Sequence, residues 1–375
     1  MLVTSDNGGA VFGYITIGMT IINFLITPYI GTLVDRMSRK RLLIGSELAC
    51  FLVLLPFTAL GFLGVSYETW HYTVIYVIGS LSYTLFYPTM FAMNQELFTK
   101  EQYKTLNGTM EVQSQLSSMI AGGVASILML KWEIHYILLL NILTYIAAIY
   151  FYLKLPYARA ERTEGKNSFN RKTSEGLLYM LARPAMFAFL LFSFMPFIGV
   201  MLTNYLFPVY LSDVLQTDAN VYGILGMIYA VGAVVAGLLI PAVAKKLGNE
   251  KTMILGVLVY SIAISIVVFV ELPIYLVLMF FLALGNSSAR VARNSFLMDK
   301  IPNDIIGRVD SLFRTIGLLQ RIILLAIFTG MVSSELIVPC FYILSTVLLV
   351  ATIIVSFSWN KGFREEERLL QVKRS

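Results

Sequence analysis

Eleven apolar runs, most of them about 18 residues or longer, decide what this chain can fold into. They are Ala10–Leu33, Leu42–Gly64, Thr73–Met93, Thr105–Leu130, Tyr136–Leu155, Met186–Leu211, Tyr222–Val243, Met253–Val270, Ile274–Val291, Val309–Val332 and Leu336–Phe357. A helix of that length crosses the roughly 30 Å hydrocarbon layer of a bilayer. In lipid every backbone N–H and C=O must be satisfied internally, so only helices and closed barrels cross. The runs are continuous and do not alternate every second residue, which selects helices over barrel strands. Charged residues make up only 13% of the chain and hydrophobic ones 58%, too little charge to cover a water-facing surface. The expected fold is an all-α integral membrane protein of about eleven spans.

The connectors give an orientation. Arg36, Arg39, Lys40 and Arg41 crowd the first one, and the next, Val65–Tyr72, has no Lys or Arg. Basic residues then return at every second crossing: Lys100 and Lys104, the long middle connector, Lys245, Lys246 and Lys251, then Arg290, Arg293, Lys300 and Arg308, and finally the tail. Lys131 is the exception among the connectors, and Arg314 and Arg321 lie inside a span. By the positive-inside rule the basic side is cytoplasmic, which puts the N-terminus outside and the C-terminus inside the cell membrane. The net charge of +6 is accounted for by these connectors, and no nucleic-acid partner is expected. Cys50 and Cys340 sit in apolar runs and imply neither a disulfide nor a metal site. His71 and His135 lie near Trp70 and Trp132, as residues of the headgroup layer do.

The middle connector, 156–185, is the longest polar stretch and separates an N-terminal bundle of five spans, 1–155, from a C-terminal bundle of six, 186–375. Features recur between the two parts at an offset of about 200 residues, including the basic connectors Asp35–Arg41 and Lys245–Lys251. Such an offset predicts two pseudo-symmetric bundles built as parallel repeats.

Gly31-Thr32-Leu33-Val34-Asp35-Arg36-Met37-Ser38-Arg39-Lys40 ends the first span and opens the first basic connector. It resembles the signature between the second and third helices of the major facilitator superfamily, G-x-L-x-D-R-x-G-R-R/K, with Ser38 standing where the family has glycine. Pro302-Asn303-Asp304-Ile305-Ile306-Gly307-Arg308-Val309 is similar to a P-x-x-x-x-G-R-V stretch before helix eleven of some exporters in that superfamily. The resemblance implies that the eleven spans are family helices two to twelve. Helix one, which lines the central cavity, would then be encoded upstream of Met1 or be absent from a shortened form. It also implies a gating motif of Gly31, Asp35, Arg36, Arg39 and Lys40. Gly31 would allow close helix approach, and Asp35 would accept from a helix N-terminus or pair with an arginine.

Polar residues within the spans are the remaining candidates. Glu111, with Gln115 nearby, either carries a proton in an antiport cycle or snorkels to the membrane edge, about 10 Å along the helix from Thr105. Arg314 and Arg321 need an anionic partner, Glu111 or substrate, with a structural ion pair as the simplest outcome. Asn23, Gln115, Asn204 and Tyr205 are candidates for substrate binding or for hydrogen bonds between helices. No nucleophile elbow, phosphate loop or metal-ligand cluster points to an enzyme or an ATP-driven pump, and no cofactor is expected. The reading is a monomeric secondary active transporter. It would move a small organic molecule by alternating access, in proton-coupled efflux, with substrate bound between the halves near the midplane. The alternative is a transport-inactive membrane scaffold or receptor.

Overall fold

The structure, a computed structural model, describes residues 8–157, 175–217 and 219–359. The N-terminal residues before Gly8, the connector cations Arg159, Arg162, Lys166, Arg171 and Lys172, and the basic tail from Lys361 onward lie outside the described residues. Among the described residues there are helices and no strand. They are α1 (Gly8–Arg36), α2 (Arg39–Phe62), α3 (Thr69–Leu97), α4 (Tyr103–Lys131), α5 (Ile134–Lys154), the short α6 (Glu175–Leu181), α7 (Pro184–Ser193), α8 (Met195–Val209), α9 (Ala219–Leu247), α10 (Asn249–Ile266), α11 (Leu272–Lys300), α12 (Ile306–Ser333) and α13 (Ile337–Phe357). Ten spans in this set are long and apolar enough to cross a membrane, with α7 and α8 together forming one. Helix α4 has the length, 29 residues, but carries Asn107, Glu111 and Gln115 on one face at helical spacing.

Two helices differ from their apolar runs in a way that matters. The run Ile274–Val291, which already holds Arg290, continues as α11 to Lys300, so Arg293 too belongs to a helix and not to a connector. Likewise α3 continues to Leu97, which brings Asn94, Gln95 and Glu96 onto a helix end. Hydropathy stops where the polar residues begin, whereas the backbone continues because these polar side chains are buried against partners.

The chain divides into two compact units. The first comprises Met1–Thr99, Ala121–Leu177 and Pro302–Thr315. Its core lies where α2 meets α5, around Leu54, Phe57, Leu138 and Ile142. Asn23 of α1 donates to Ser80 Oγ of α3 (3.3 Å) and accepts from Thr84 Oγ1 (3.0 Å), tying α1 to α3. At the start of α3 the Glu68 side chain accepts from the His71 backbone, and the Glu68 amide donates to His71 Nδ1 (3.0 Å). His71 thereby closes a capping box and satisfies amides that a helix start leaves open.

The second unit comprises Lys100–Ile120, Leu178–Ile301 and Ile316–Ser375. Its core runs from Phe194, Ile198 and Leu202 through Tyr260 and Tyr275 to Phe341 and Leu344. The span made of α7 and α8 breaks at Phe194, just before Pro196, and ends beyond Pro208 in a π turn, Tyr210–Val214; prolines remove helix donors at both places. Helices α10 and α11 cross in backbone contact. A Cβ added at Gly256 would lie 2.6 Å from the Ala289 nitrogen and 2.9 Å from the Gly285 carbonyl oxygen, and one added at Gly285 would lie 2.8 Å from the Gly256 carbonyl oxygen. Small residues let helix backbones approach this closely where lipid supplies no hydrophobic driving force between helices.

Gly256→Val is therefore expected to destabilise the chain by about 1–3 kcal/mol, the range for overpacking, seen as a lower melting temperature in detergent. Gly45→Ala, at a helical glycine with nothing within 4 Å of an added Cβ, is expected to leave the melting temperature unchanged or raise it.

Candidate functional site

The first two amide groups after the α12 start have no carbonyl partner in their own helix. Asp35, in the last turn of α1, supplies one. Its Oδ1 accepts from the Gly307 amide (2.9 Å) and its Oδ2 from the Arg308 amide (3.0 Å). The positive end of the α12 dipole favours an anion at this place. Arg308 adds a side-chain bond, Nε to Asp35 Oδ2 at 2.9 Å. Asp35 is 5% exposed, and a buried carboxylate persists only when its charge is met by donors such as these.

Arg39, 0% exposed, is the centre of a second group. Its Nη1 pairs with Glu96 Oε1 (2.9 Å) and donates to the Ala92 carbonyl. Its Nη2 donates to the Asn303 carbonyl (2.9 Å) and lies 4.0 Å from Asp35 Oδ1. The planar fork of a guanidinium makes four acceptors reachable at once. Tyr157 donates its phenol to Glu96, and Glu175 pairs with Arg308. Burial, and then the Glu96 carboxylate it bonds, push the Tyr157 phenol up to about 12, so it remains a donor at neutral pH. Lys40 donates to the Leu153 and Leu155 carbonyls (both 2.9 Å) at the end of α5, where a cation suits the helix dipole. Ser38 has φ −65° and ψ 118°, a conformation open to any residue, so the departure from glycine there has no backbone consequence. Arg36 occupies the last turn of α1.

Glycine makes the Asp35 contact possible. A Cβ at Gly31 would lie 2.7 Å from the Gly307 carbonyl oxygen, and one at Gly307 would lie 2.9 Å from the Gly31 carbonyl oxygen and 2.6 Å from Asp35 Oδ1. The second unit holds a matching crossing of α4 and α9. A Cβ at Gly237 would lie 2.8 Å from the Gly108 carbonyl oxygen, and one at Gly108 would strike Gly237 and Pro241. Gly237 follows Gly31 by about 200 residues, as Gly307 follows Gly108, which is the offset of the repeat. Four residues after Gly237 the chain has Pro241 where the first copy has Asp35, so that position supplies no carboxylate. Lys104 instead donates to the Ala244 carbonyl (2.8 Å).

Within the membrane-length helices, Glu111 of α4 accepts from Ser287 Oγ (2.7 Å), from Gln115 Nε2 (3.2 Å) and from Arg290 Nη2. Its side chain is 5% exposed and that of Arg290 is 26% exposed. One turn earlier, Asn107 donates to Ser295 Oγ of α11 (3.3 Å), and Asn286 of α11 donates to the Tyr229 phenol (2.9 Å). The arginine at Glu111 is thus Arg290, and neither Arg314 nor Arg321. Arg314 pairs with Asp310 on its own helix, Nε to Oδ2 at 2.6 Å, over the Tyr87 ring. Arg321 is half-buried and meets no carboxylate among the described residues. Asn23 and Gln115 are engaged as described above; Asn204 is exposed, and Tyr205 packs against the α8 core. Sequence reasoning passed over Glu96, Glu175, Arg290 and Asp310 as site residues. Asp310 lies four residues before Arg314 and was findable as a helical pair; the other partners are distant in sequence and carried no local signal.

A family model of the Major Facilitator Superfamily matches residues 2–323 and again 193–373. The chain belongs to that superfamily. Macrolide efflux protein A of Enterococcus faecalis is 24% identical over 307 residues, covering 79% of this chain and 94% of the relative. The protein of that name from Streptococcus pyogenes is 24% identical over 338 residues, covering 88% and 82%. Among solved structures, a bacterial homologue of the iron transporter ferroportin in an outward-facing state superposes with TM-score 0.72 at 15% identity, covering 93% of this chain and 90% of that one. The human organic anion transporter MFSD10 gives TM-score 0.65 at 15% identity, covering 93% and 84%. At this identity the likeness of structures concerns the fold. This major facilitator is a multi-pass membrane protein and a transporter, with efflux proteins among its relatives.

Arg39→Ala is expected to be among the most damaging substitutions of the facilitator's first connector. It strands Glu96 and Asp35 with fewer cations in a buried place, at about 3–5 kcal/mol, and Arg39→Lys restores only part because an ammonium cannot span the acceptors. Ser38→Gly is expected to stay within about 0.5 kcal/mol of the parent. Thermal unfolding in detergent distinguishes the three.

Proposed function

We propose that this facilitator is a secondary active exporter that moves a small organic molecule out of the cell by alternating access, driven by proton antiport. The observation that carries the proposal is the ion pair of Glu111 with Arg290, held across two membrane-length helices. A carboxylate in such a place is costly and marks ion or substrate chemistry in membrane proteins. Protonation of Glu111 would weaken its hold on Arg290 and so favour a different packing of α4 against α11. A proton thus has a stated mechanical effect, which is what coupling requires.

The second element of the proposal is a latch. Asp35, Arg308, Arg39 and Glu96 join the end of α1 and the end of α3 to the start of α12. The basic connectors put these ends at the cytoplasmic face by the positive-inside rule, with the N-terminus outside and the C-terminus inside. For the N-terminal bundle, 1–155, to rock against the C-terminal bundle, 186–375, these bonds must open and close once per cycle. The relatives named for macrolide efflux make bulky, largely apolar organic molecules of that class the first substrates to test, and a monomer suffices for the mechanism.

In proteoliposomes, an imposed pH gradient is expected to drive macrolide flux by the parent chain. Glu111→Gln, which keeps the acceptor for Ser287 but carries no titratable charge, is expected to lower pH-driven flux by on the order of ten-fold or more with folding intact. Unchanged pH-driven flux in that variant removes Glu111 from the coupling. A parent chain with no gradient-driven flux of any organic substrate supports the scaffold reading instead.

A further inference from the structure

Two described residues of the polar connector, Tyr157 and Glu175, meet the latch. Tyr157, just beyond α5, donates its phenol to Glu96, the partner of Arg39. Glu175, at the start of α6, pairs with Arg308, the partner of Asp35. Gly176 brings the connector's far end into close contact with the same residue: a Cβ there would lie 3.0 Å from both the carbonyl carbon and the Cβ of Arg308. Each acid–base pair of the latch thus receives a bond from a connector residue.

We infer that Tyr157 and Glu175 are positioning residues of the latch and set how readily it opens. The inference rests on the latch reading above and adds to it what holds the two cations in place. Arg308 has three side-chain nitrogens and uses them on three acceptors: Nε on Asp35, Nη1 on Glu175 and Nη2 on the Asp304 carbonyl. With Glu175 removed, the guanidinium loses the carboxylate that fixes its outer edge and can rotate about its stem. Its Nε bond to Asp35 then becomes one of several rotamers instead of the single one now enforced. Tyr157 acts on Glu96 in the same sense. A neutral donor on a carboxylate fixes the oxygen orientation without competing for the charge that Arg39 requires.

The Gly307 and Arg308 amides report on the latch directly, since Asp35 is their acceptor and the helix offers them none. Hydrogen exchange of the intact chain in lipid nanodiscs, followed by mass spectrometry of the peptide spanning these amides, gives the test. Asp35→Asn is expected to speed exchange there markedly. Tyr157→Phe with Glu175→Gln is expected to speed it about three-fold, the scale of a partly exposed charge pair. Glu175→Asp is expected to recover part of the protection, and peptides from the α10 interior are expected to exchange as in the parent. Fast exchange in Asp35→Asn with parent-like exchange in the double variant overturns the positioning role and leaves the latch standing. Parent-like exchange in Asp35→Asn overturns the latch and the inference with it. An equal acceleration in α10 shows general loosening and overturns the positioning role.

Discussion

The Asp35 carboxylate on the N-terminus of α12 is the contact that constrains everything around it. An anion buried to 5% exposure needs donors on all sides, and here two are backbone amides that their own helix cannot satisfy. For the carboxylate to reach them, α1 and α12 must cross with no side chain between them. That makes Gly31 and Gly307 consequences of the charge rather than independent features: a single methyl at Gly307 would occupy the space 2.6 Å from Asp35 Oδ1. The cations follow by the same logic. One carboxylate facing two arginines leaves net positive charge in a place with little water, and Glu96 and Glu175 reduce it.

The repeat makes the comparison with the second crossing informative. Gly237 and Gly108 bring α9 and α4 as close as Gly31 and Gly307 bring α1 and α12, so the steric part of the arrangement is kept. The electrostatic part is not, because Pro241 stands at the position of the carboxylate and accepts nothing. Backbone approach and charge pairing are therefore separable: packing alone is enough to seat two helices, and the acid adds charged hydrogen bonds to one of the crossings. Lys104 on the Ala244 carbonyl is a weaker tie, a point charge on a neutral acceptor instead of a charge pair.

What could be read from the amino-acid sequence divides along physical lines. Hydropathy reports the solvent of each stretch, and the bilayer demands long unbroken apolar runs, so most spans were legible with their order. It fails where a helix continues through buried polar residues, as α11 does from Val291 to Lys300, because the burial is paid in partners and not in apolar surface. The motif made Asp35 legible as an acceptor awaiting a helix end or an arginine. Which arginine meets Glu111 was not legible: Arg290 lies 179 residues away, and nothing in either local stretch names the other. Tyr157 and Glu175 were hidden for the same reason, each an ordinary residue at the edge of a polar connector until the fold sets it beside Glu96 or Arg308.

Two ion pairs of the described helices differ in partner geometry, and the difference decides which of them a helix movement can alter. Arg314 and Asp310 lie four residues apart on α12 and meet at 2.6 Å. A rigid movement of that helix carries both along, so the pair is the same before and after. Glu111 and Arg290 lie on different helices, with Ser287 sharing the carboxylate. Any relative movement of α4 and α11 changes that pair, and by reciprocity any change in the pair, including a proton on Glu111, acts on the packing of the two helices. Among the acidic residues described inside the helices Glu111 combines this cross-helix pairing with burial away from the helix ends, which is the ground on which coupling is proposed for it.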